Sequence, residues 1–257
     1  MKRFYLVFAF ACLMTATLCA ADDPFCGKWK LNMKKSTFTG EQTKIEDLGG
    51  NKYKWTNGDD SDIIAFDGTD QPVQYGRTIS IPAGPNSWKM VIKKDGRVLS
   101  TMTHTVSDDG KTQTIKGTAT RPDGSTSDFD VTLKRISGGP GIAGTWEDAD
   151  VKFTGATEWE ISPYEGDGLT FNSPAYNDRL SMKFDGKDYA EEGPNVAAGS
   201  TSSGKRVNTH TLAVIDKVKG KVTDHATYKV SADGKTLTMT IQDAGQPKPI
   251  TIVYDKI

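Results

Sequence analysis

The sequence predicts an all-β protein: two tandem antiparallel up-and-down β-barrels of about eight strands each. Three observations carry this. After residue 21 the chain is dominated by short alternating runs of Thr, Val, Ile, Tyr and Trp, with little helical periodicity. Asp-Gly pairs cut these runs at Asp95-Gly96, Asp109-Gly110 and Asp123-Gly124, and Asp-Gly suits the positive φ of tight hairpin turns. Four landmarks also recur in one order. Gly27-Lys28-Trp29 returns as Gly144-Thr145-Trp146, and Phe66-Asp67-Gly68-Thr69-Asp70 as Phe184-Asp185-Gly186-Lys187-Asp188. Val106-Ser107-Asp108-Asp109-Gly110-Lys111-Thr112 returns as Val230-Ser231-Ala232-Asp233-Gly234-Lys235-Thr236, and Lys134-Arg135-Ile136 as Asp255-Lys256-Ile257. Such recurrence, with slowly drifting spacing, points to a duplication with loop insertions.

Residues 1–20 read as a secretory signal: Lys2 and Arg3, an apolar run from Phe4 to Leu18, then the small residues Cys19-Ala20-Ala21. The mature chain is therefore expected to be secreted or periplasmic. Lipid attachment at Cys19 is disfavoured by the bulky Leu18 before it. Residues 21–136 are expected to form the first barrel. Its strands are placed near Trp29–Asn32, Thr43–Leu48, Lys52–Thr56, Asp62–Phe66, Arg77–Ile81, Ser87–Lys93, Arg97–Val106, Thr112–Thr120 and Asp128–Arg135. Residues 137–141, Ser-Gly-Gly-Pro-Gly, are a linker too short to separate two domains widely. The second barrel is expected over 142–257, with Lys219-Gly220 and Asp233-Gly234 as turns and a mobile Ser/Gly-rich insertion at Gly193–Gly204. Two-sheet sandwiches are the alternative architecture; sequential hairpins without a long crossover favour barrels, which also remove exposed edges.

Composition excludes some functions. Lys and Arg total 32 against 33 Asp and Glu, a net charge of −1 with both signs mixed throughout, which argues against a nucleic-acid partner. No segment after the signal is apolar enough for stable membrane insertion. Of the three cysteines only Cys26 outlives signal removal, so no intrachain disulfide is expected, and the thiol reads as a small buried apolar residue.

The stretch Phe25-Cys26-Gly27-Lys28-Trp29-Lys30-Leu31-Asn32, the second Gly144-Thr145-Trp146 and Phe184-Asp185-Gly186-Lys187-Asp188-Tyr189 resemble short secreted bacterial lipocalin-like domains of the calycin group. The resemblance implies that the first-strand Trp plugs the closed end of each barrel beneath a basic residue of the last strand. The matching pairs would be Trp29 with Arg135 and Trp146 with Lys256. The Thr-Asp-Tyr loop motif and the C-terminal helix of lipocalins are absent.

A barrel of this size either fills itself or holds one small ligand. With Asp95-Gly96 as a two-residue turn, one face of the hairpin carries Trp88, Met90, Ile92, Leu99, Thr101 and Thr103, an apolar wall with two hydroxyls. Lys89, Val91, Lys93, Val98, Ser100, Met102 and His104 form the other face. The second half offers Phe184, Leu212 and Val214 in corresponding places, a smaller wall, so the two barrels would take different molecules. No catalytic residue is assigned: there is no nucleophile elbow, Cys/His arrangement or phosphate loop, and the acidic runs Asp59–Asp62 and Asp67–Asp70 fall in turns. No metal site and no cofactor are expected, since His210 and His225 lie too far apart along their hairpin to share an ion. The expectation is a secreted, non-enzymatic protein binding a small hydrophobic molecule. The alternatives are an envelope-associated interaction module with filled barrels, its protein partner not identified by sequence, and a weak enzyme on the same scaffold.

Overall fold

A computed structural model describes residues 23–82, 84, 86–155 and 158–257; the expected signal at 1–20 lies outside them. The described residues are all-β, with twenty antiparallel strands and one 3₁₀ turn at Gln74–Gly76 among them. In order these are β1 (Gly27–Leu31), β2 (Gln42–Asp47), β3 (Lys52–Asn57), β4 (Asp60–Ala65), β5 (Gln71–Val73), β6 (Arg77–Ser80), β7 (Ser87–Lys94), β8 (Arg97–Val106), β9 (Thr112–Thr120) and β10 (Thr126–Ser137). The rest are β11 (Gly144–Phe153), β12 (Glu158–Tyr164), β13 (Gly168–Ser173), β14 (Asp178–Met182), β15 (Tyr189–Glu192), β16 (Ser200–Asn208), β17 (Thr211–Val218), β18 (Lys221–Val230), β19 (Thr236–Asp243) and β20 (Ile250–Lys256).

The strands form two ten-stranded barrels, not two of eight: short β5 and β15 extend the meanders beyond the strands the alternation reveals. β2–β11 make the first barrel, and β1 with β12–β20 make the second. The units 21–136 and 142–257 therefore do not delimit the barrels. The first is the continuous stretch 42–153, and β1 lies outside it, between β12 and β20 of the second. The cause is local. β10 and β11 are joined through Gly138–Ala143, and a hairpin loop this short costs little closure entropy, so β11 folds directly onto β10 and also takes the seat beside β2. β1 is then left to close the other barrel.

The second barrel is closed. The first leaves a seam between β4 and β5, which side chains stitch. The Gln71 carboxamide accepts from Ala65 N and donates to Ala65 O, each at 2.7 Å. Lower down, Gln74 donates to Ser61 O at 3.0 Å, and Tyr75, held at φ +62°, donates its hydroxyl to Asp60.

Each barrel has its own core. Ile45, Ile81, Trp88, Met90, Leu133 and Trp146 anchor the first; Phe25, Trp29, Leu169, Met182, Leu212 and Leu237 anchor the second. The barrels are locked by Gln246, whose amide accepts from Gln42 N at 2.7 Å and donates to Gln42 O at 3.1 Å. Gly58 (φ +56°) meets Gly245 (φ +75°) there, and a Cβ on Gly58 would lie 2.0 Å from Ala244 O. Among the described residues no helix is long and apolar enough to cross a membrane.

Candidate functional site

The two tryptophans mark the closed ends. Trp29 and Trp146 are fully buried, each indole donating at 2.8 Å to a carbonyl four residues upstream, Phe25 O and Ile142 O. Their basic covers are exchanged relative to expectation: Arg135 lies 4.0 Å over Trp146 and Lys256 Nζ 5.0 Å over Trp29. β1 pairs with β20 and β11 with β10, so each tryptophan meets the basic residue of the strand beside it.

The opposite, open ends face each other. The turn between β3 and β4 contacts the second barrel through Asp59 N and Ala244 O at 3.1 Å and through Lys221, which pairs with Asp60 at 2.5 Å. The tip of the β7–β8 hairpin holds the 193–199 segment: Arg97 donates to Pro194 O at 3.2 Å and Asn195 Oδ1 at 3.0 Å, and Lys94 donates to Val196 O. The expected mobile insertion is thus a docked turn followed by β16, in which Ser202 and Ser203 are buried.

Three cavities meet between the mouths. One of about 480 Å³ opens at the seam of the first barrel, with Trp55, Ile64, Val73 and Ile92 as its apolar wall and Asp60, Asp62, Arg77 and Lys221 at its rim. A second of about 340 Å³ fills the mouth of the closed barrel over Trp159, Phe171 and Tyr228. A third of about 470 Å³ touches both, sharing Ile92 with the first and Glu191 with the second.

Beneath the first cavity lies a nest of rings. Trp88 stacks on His104 with centroids 5.3 Å apart, and Trp55 meets His104 edge-on at 5.9 Å. The Nε1 atoms of Trp55 and Trp88 and Nε2 of His104 are buried without partners. Gln113 Nε2 lies 3.4 Å from His104 Nδ1, and with the amide donating the imidazole proton sits on Nε2. Burial holds His104 neutral, its pKa pushed down to about 4. Three N–H donors therefore wait for an acceptor, where an unmade hydrogen bond costs about 1–3 kcal/mol.

The second mouth has the opposite character. Burial, reinforced by Asp216 and Asp178, raises Glu191 to about 7; burial with Asp216 and Asp243 does the same to Asp224. Nearby, burial and Asp243 lift Glu41 to about 8, and burial and Glu147 lift Asp148 to about 6. Among the described residues no group of three or more His, Cys, Asp or Glu side chains is placed to hold a metal ion.

The sequence-predicted wall is partly displaced. The Asp95-Gly96 turn pairs Lys94 with Arg97 as expected, but a β-bulge between Ile92 and Lys93 shifts the register, so Trp88 faces His104, Met90 faces Met102 and Ile92 faces Ser100. Thr101 and Thr103 consequently turn away from the interior, and Met102 and His104 turn in. Ile92 and Leu99 reach the cavities, while Trp88 and Met90 lie below them in the core. Leu212 and Val214 are filled core of the second barrel, and Phe184 packs against that core under Arg206, whose guanidinium is 4.8 Å from the ring. Periodicity gave no signal for the seam or the carboxylates of the second mouth. Comparison with models of known families, with curated proteins and with solved structures found no match to this chain.

Proposed function

We propose that the chain is a secreted or periplasmic, non-enzymatic binding protein of lipocalin-like design, descended from a duplicated barrel, whose seam cavity holds a small apolar molecule carrying a hydrogen-bond acceptor. The observation that carries this is the cavity of about 480 Å³ walled by Trp55, Ile64, Val73 and Ile92, continuous through Trp55 with rings whose three N–H groups have no partner. Its size falls within the ~300–1,000 Å³ typical of ligand sites, and apolar burial with a few convergent donors is the chemistry such sites use. The expected role of Thr101 and Thr103 in orienting the ligand passes to Trp55, the one of the three rings that lines the cavity, with Trp88 and His104 packed behind it.

Purified protein titrated with fatty acids, fatty alcohols and naphthalene dyes, followed by tryptophan fluorescence and native mass spectrometry, is expected to show one-to-one binding. Ile92→Trp, which fills the cavity, removes it. An empty, unresponsive protein across that panel contradicts the proposal.

A second reading, a weak acid–base enzyme, draws support from Glu191 and Asp224 near pH 7 in one cavity, the range a general acid or base needs. Ligands recovered from the protein separate the two: a binding protein returns them chemically unchanged.

A further inference from the structure

The mouth of the second barrel gathers carboxylates in an arrangement that folding alone does not favour. On adjacent strands Asp216 stands directly opposite Asp224, and Asp224 directly opposite Asp243. Like charges facing each other across a sheet are destabilising. Asp178 and Glu191 complete the ring from β14 and β15. None of the five belongs to an ion pair among the described residues. The floor is aromatic: Trp159 packs edge-on against Phe171 and Tyr228 at 5.9 and 6.2 Å. Tyr228 is only 7% exposed, lines this cavity, and its hydroxyl has no hydrogen-bond partner among the described residues.

We propose that this mouth is a second binding site, adjoining the seam cavity and sharing the Asp224 and Asp243 wall with it, for a small organic cation: an ammonium group among Asp216, Asp224 and Asp243, its apolar body against Trp159, Phe171 and Tyr228. Each element of the site then has a use. The carboxylates supply the counter-charge, the ring faces add cation–π attraction, and the Tyr228 hydroxyl gains a partner. The volume of about 340 Å³ suits a single small molecule. A bare metal ion would leave the aromatic floor without a role.

Binding should depend on pH. Glu191 and Asp224 are half-protonated near neutrality, facing Asp178 and Arg179 from β14, Asp216 from β17, Lys221 and Tyr228 from β18 and Asp243 from β19. Across the seam cavity Asp224 also faces Asp59, Asp60, Asp62, Tyr75 and Arg77 of the first barrel, Glu41 lies against Asp243, and Lys94 acts on Asp178. Raising the pH to 8 ionises them and strengthens cation binding; lowering it to 5 neutralises them and weakens it.

The test is calorimetry of the whole mature protein with phenethylammonium and benzyltrimethylammonium chlorides, against neutral 3-phenylpropanol and against calcium chloride. At pH 8 one ammonium is expected to bind per protein, at least tenfold more weakly at pH 5, and the neutral alcohol much more weakly than either. Asp216→Asn and Asp224→Asn should each weaken binding at least tenfold while melting no lower than the parent, since each removes like-charge repulsion. Tyr228→Phe, which leaves the charges intact, should weaken it severalfold and serves if an Asn variant fails to fold. The proposal is overturned if neither ammonium binds at pH 8, if the neutral alcohol binds as well, or if calcium alone occupies the site. Ile92 lines the seam cavity and the third cavity but not this mouth, so Ile92→Trp should abolish binding of the apolar ligand and leave ammonium binding unchanged, which separates failure of one site from failure of the other.

Discussion

Arg135 spreads its guanidinium 4.0 Å over the indole of Trp146, its direct cross-strand partner, and donates to Ala143 O at 2.7 Å and Gly141 O at 2.5 Å. One side chain thus seals the closed end of the first barrel and holds the loop that brings β11 onto β10. Lys256, a single ammonium 5.0 Å from Trp29, covers the other end with less.

Arg135→Ala should therefore destabilise the protein by about 2–4 kcal/mol, the combined scale of a partly desolvated cation–π contact and charge-assisted hydrogen bonds. Lys256→Ala should cost about 1 kcal/mol or less. Urea unfolding followed by tryptophan fluorescence measures both. Equal losses would contradict the asymmetry.

His104 sets an acid limit on stability. Its folded pKa, about 4, lies below the ordinary 6.5, so the neutral ring's contribution is fully present above pH 6.5 and is lost as pH falls towards 4. Glu191, Asp224, Glu41 and Asp148 act in the opposite sense: their raised pKa values make the fold take up protons between about pH 8 and 5, stabilising it on acidification. Against wild type, His104→Phe should gain progressively, by about 2–3 kcal/mol between pH 6.5 and 4. Melting curves of the two proteins across that range check it, and a constant offset between them would remove the imidazole from the account.

The junction between the barrels rests on Gly58, whose positive φ and 2.0 Å clearance to Ala244 O leave no room for a methyl group. Gly58→Ala should destabilise by about 1–3 kcal/mol and loosen the contact of the mouths. Hydrogen exchange is expected to rise at Gln42, Asp59 and Ala244 before it rises in either core. Unchanged exchange there would contradict this role.

Much of the architecture is legible in the residues. The strands at 52–57, 97–106 and 112–120 lie where alternation and the Asp-Gly turns put them, because hairpin pairing is local and each turn fixes its own register. What the sequence hides is non-local or off by one residue. Gly27-Lys28-Trp29 and Gly144-Thr145-Trp146 are so alike that nothing in them says which barrel each strand completes; the brevity of Gly138–Ala143 decides it. The bulge after Ile92 reverses the face of Thr101, Thr103 and His104, and bulges leave little trace in alternation. Asp216 and Asp224 flank the Lys219-Gly220 turn, but a second bulge between Asp216 and Lys217 sets the register that aligns them.

The exchange of first strands makes both closed ends and sets the two mouths face to face, and a cross-link tests it most directly. In a Cys26→Ala background, Lys28→Cys is paired either with Glu160→Cys, its partner in the second barrel, or with Lys44→Cys, which faces Thr145 and would face Lys28 if β1 stayed with its own half. Mild oxidation and peptide mass spectrometry should find the 28–160 disulfide formed readily and the 28–44 disulfide absent. A 28–44 disulfide without the 28–160 one would show that each half closes on itself.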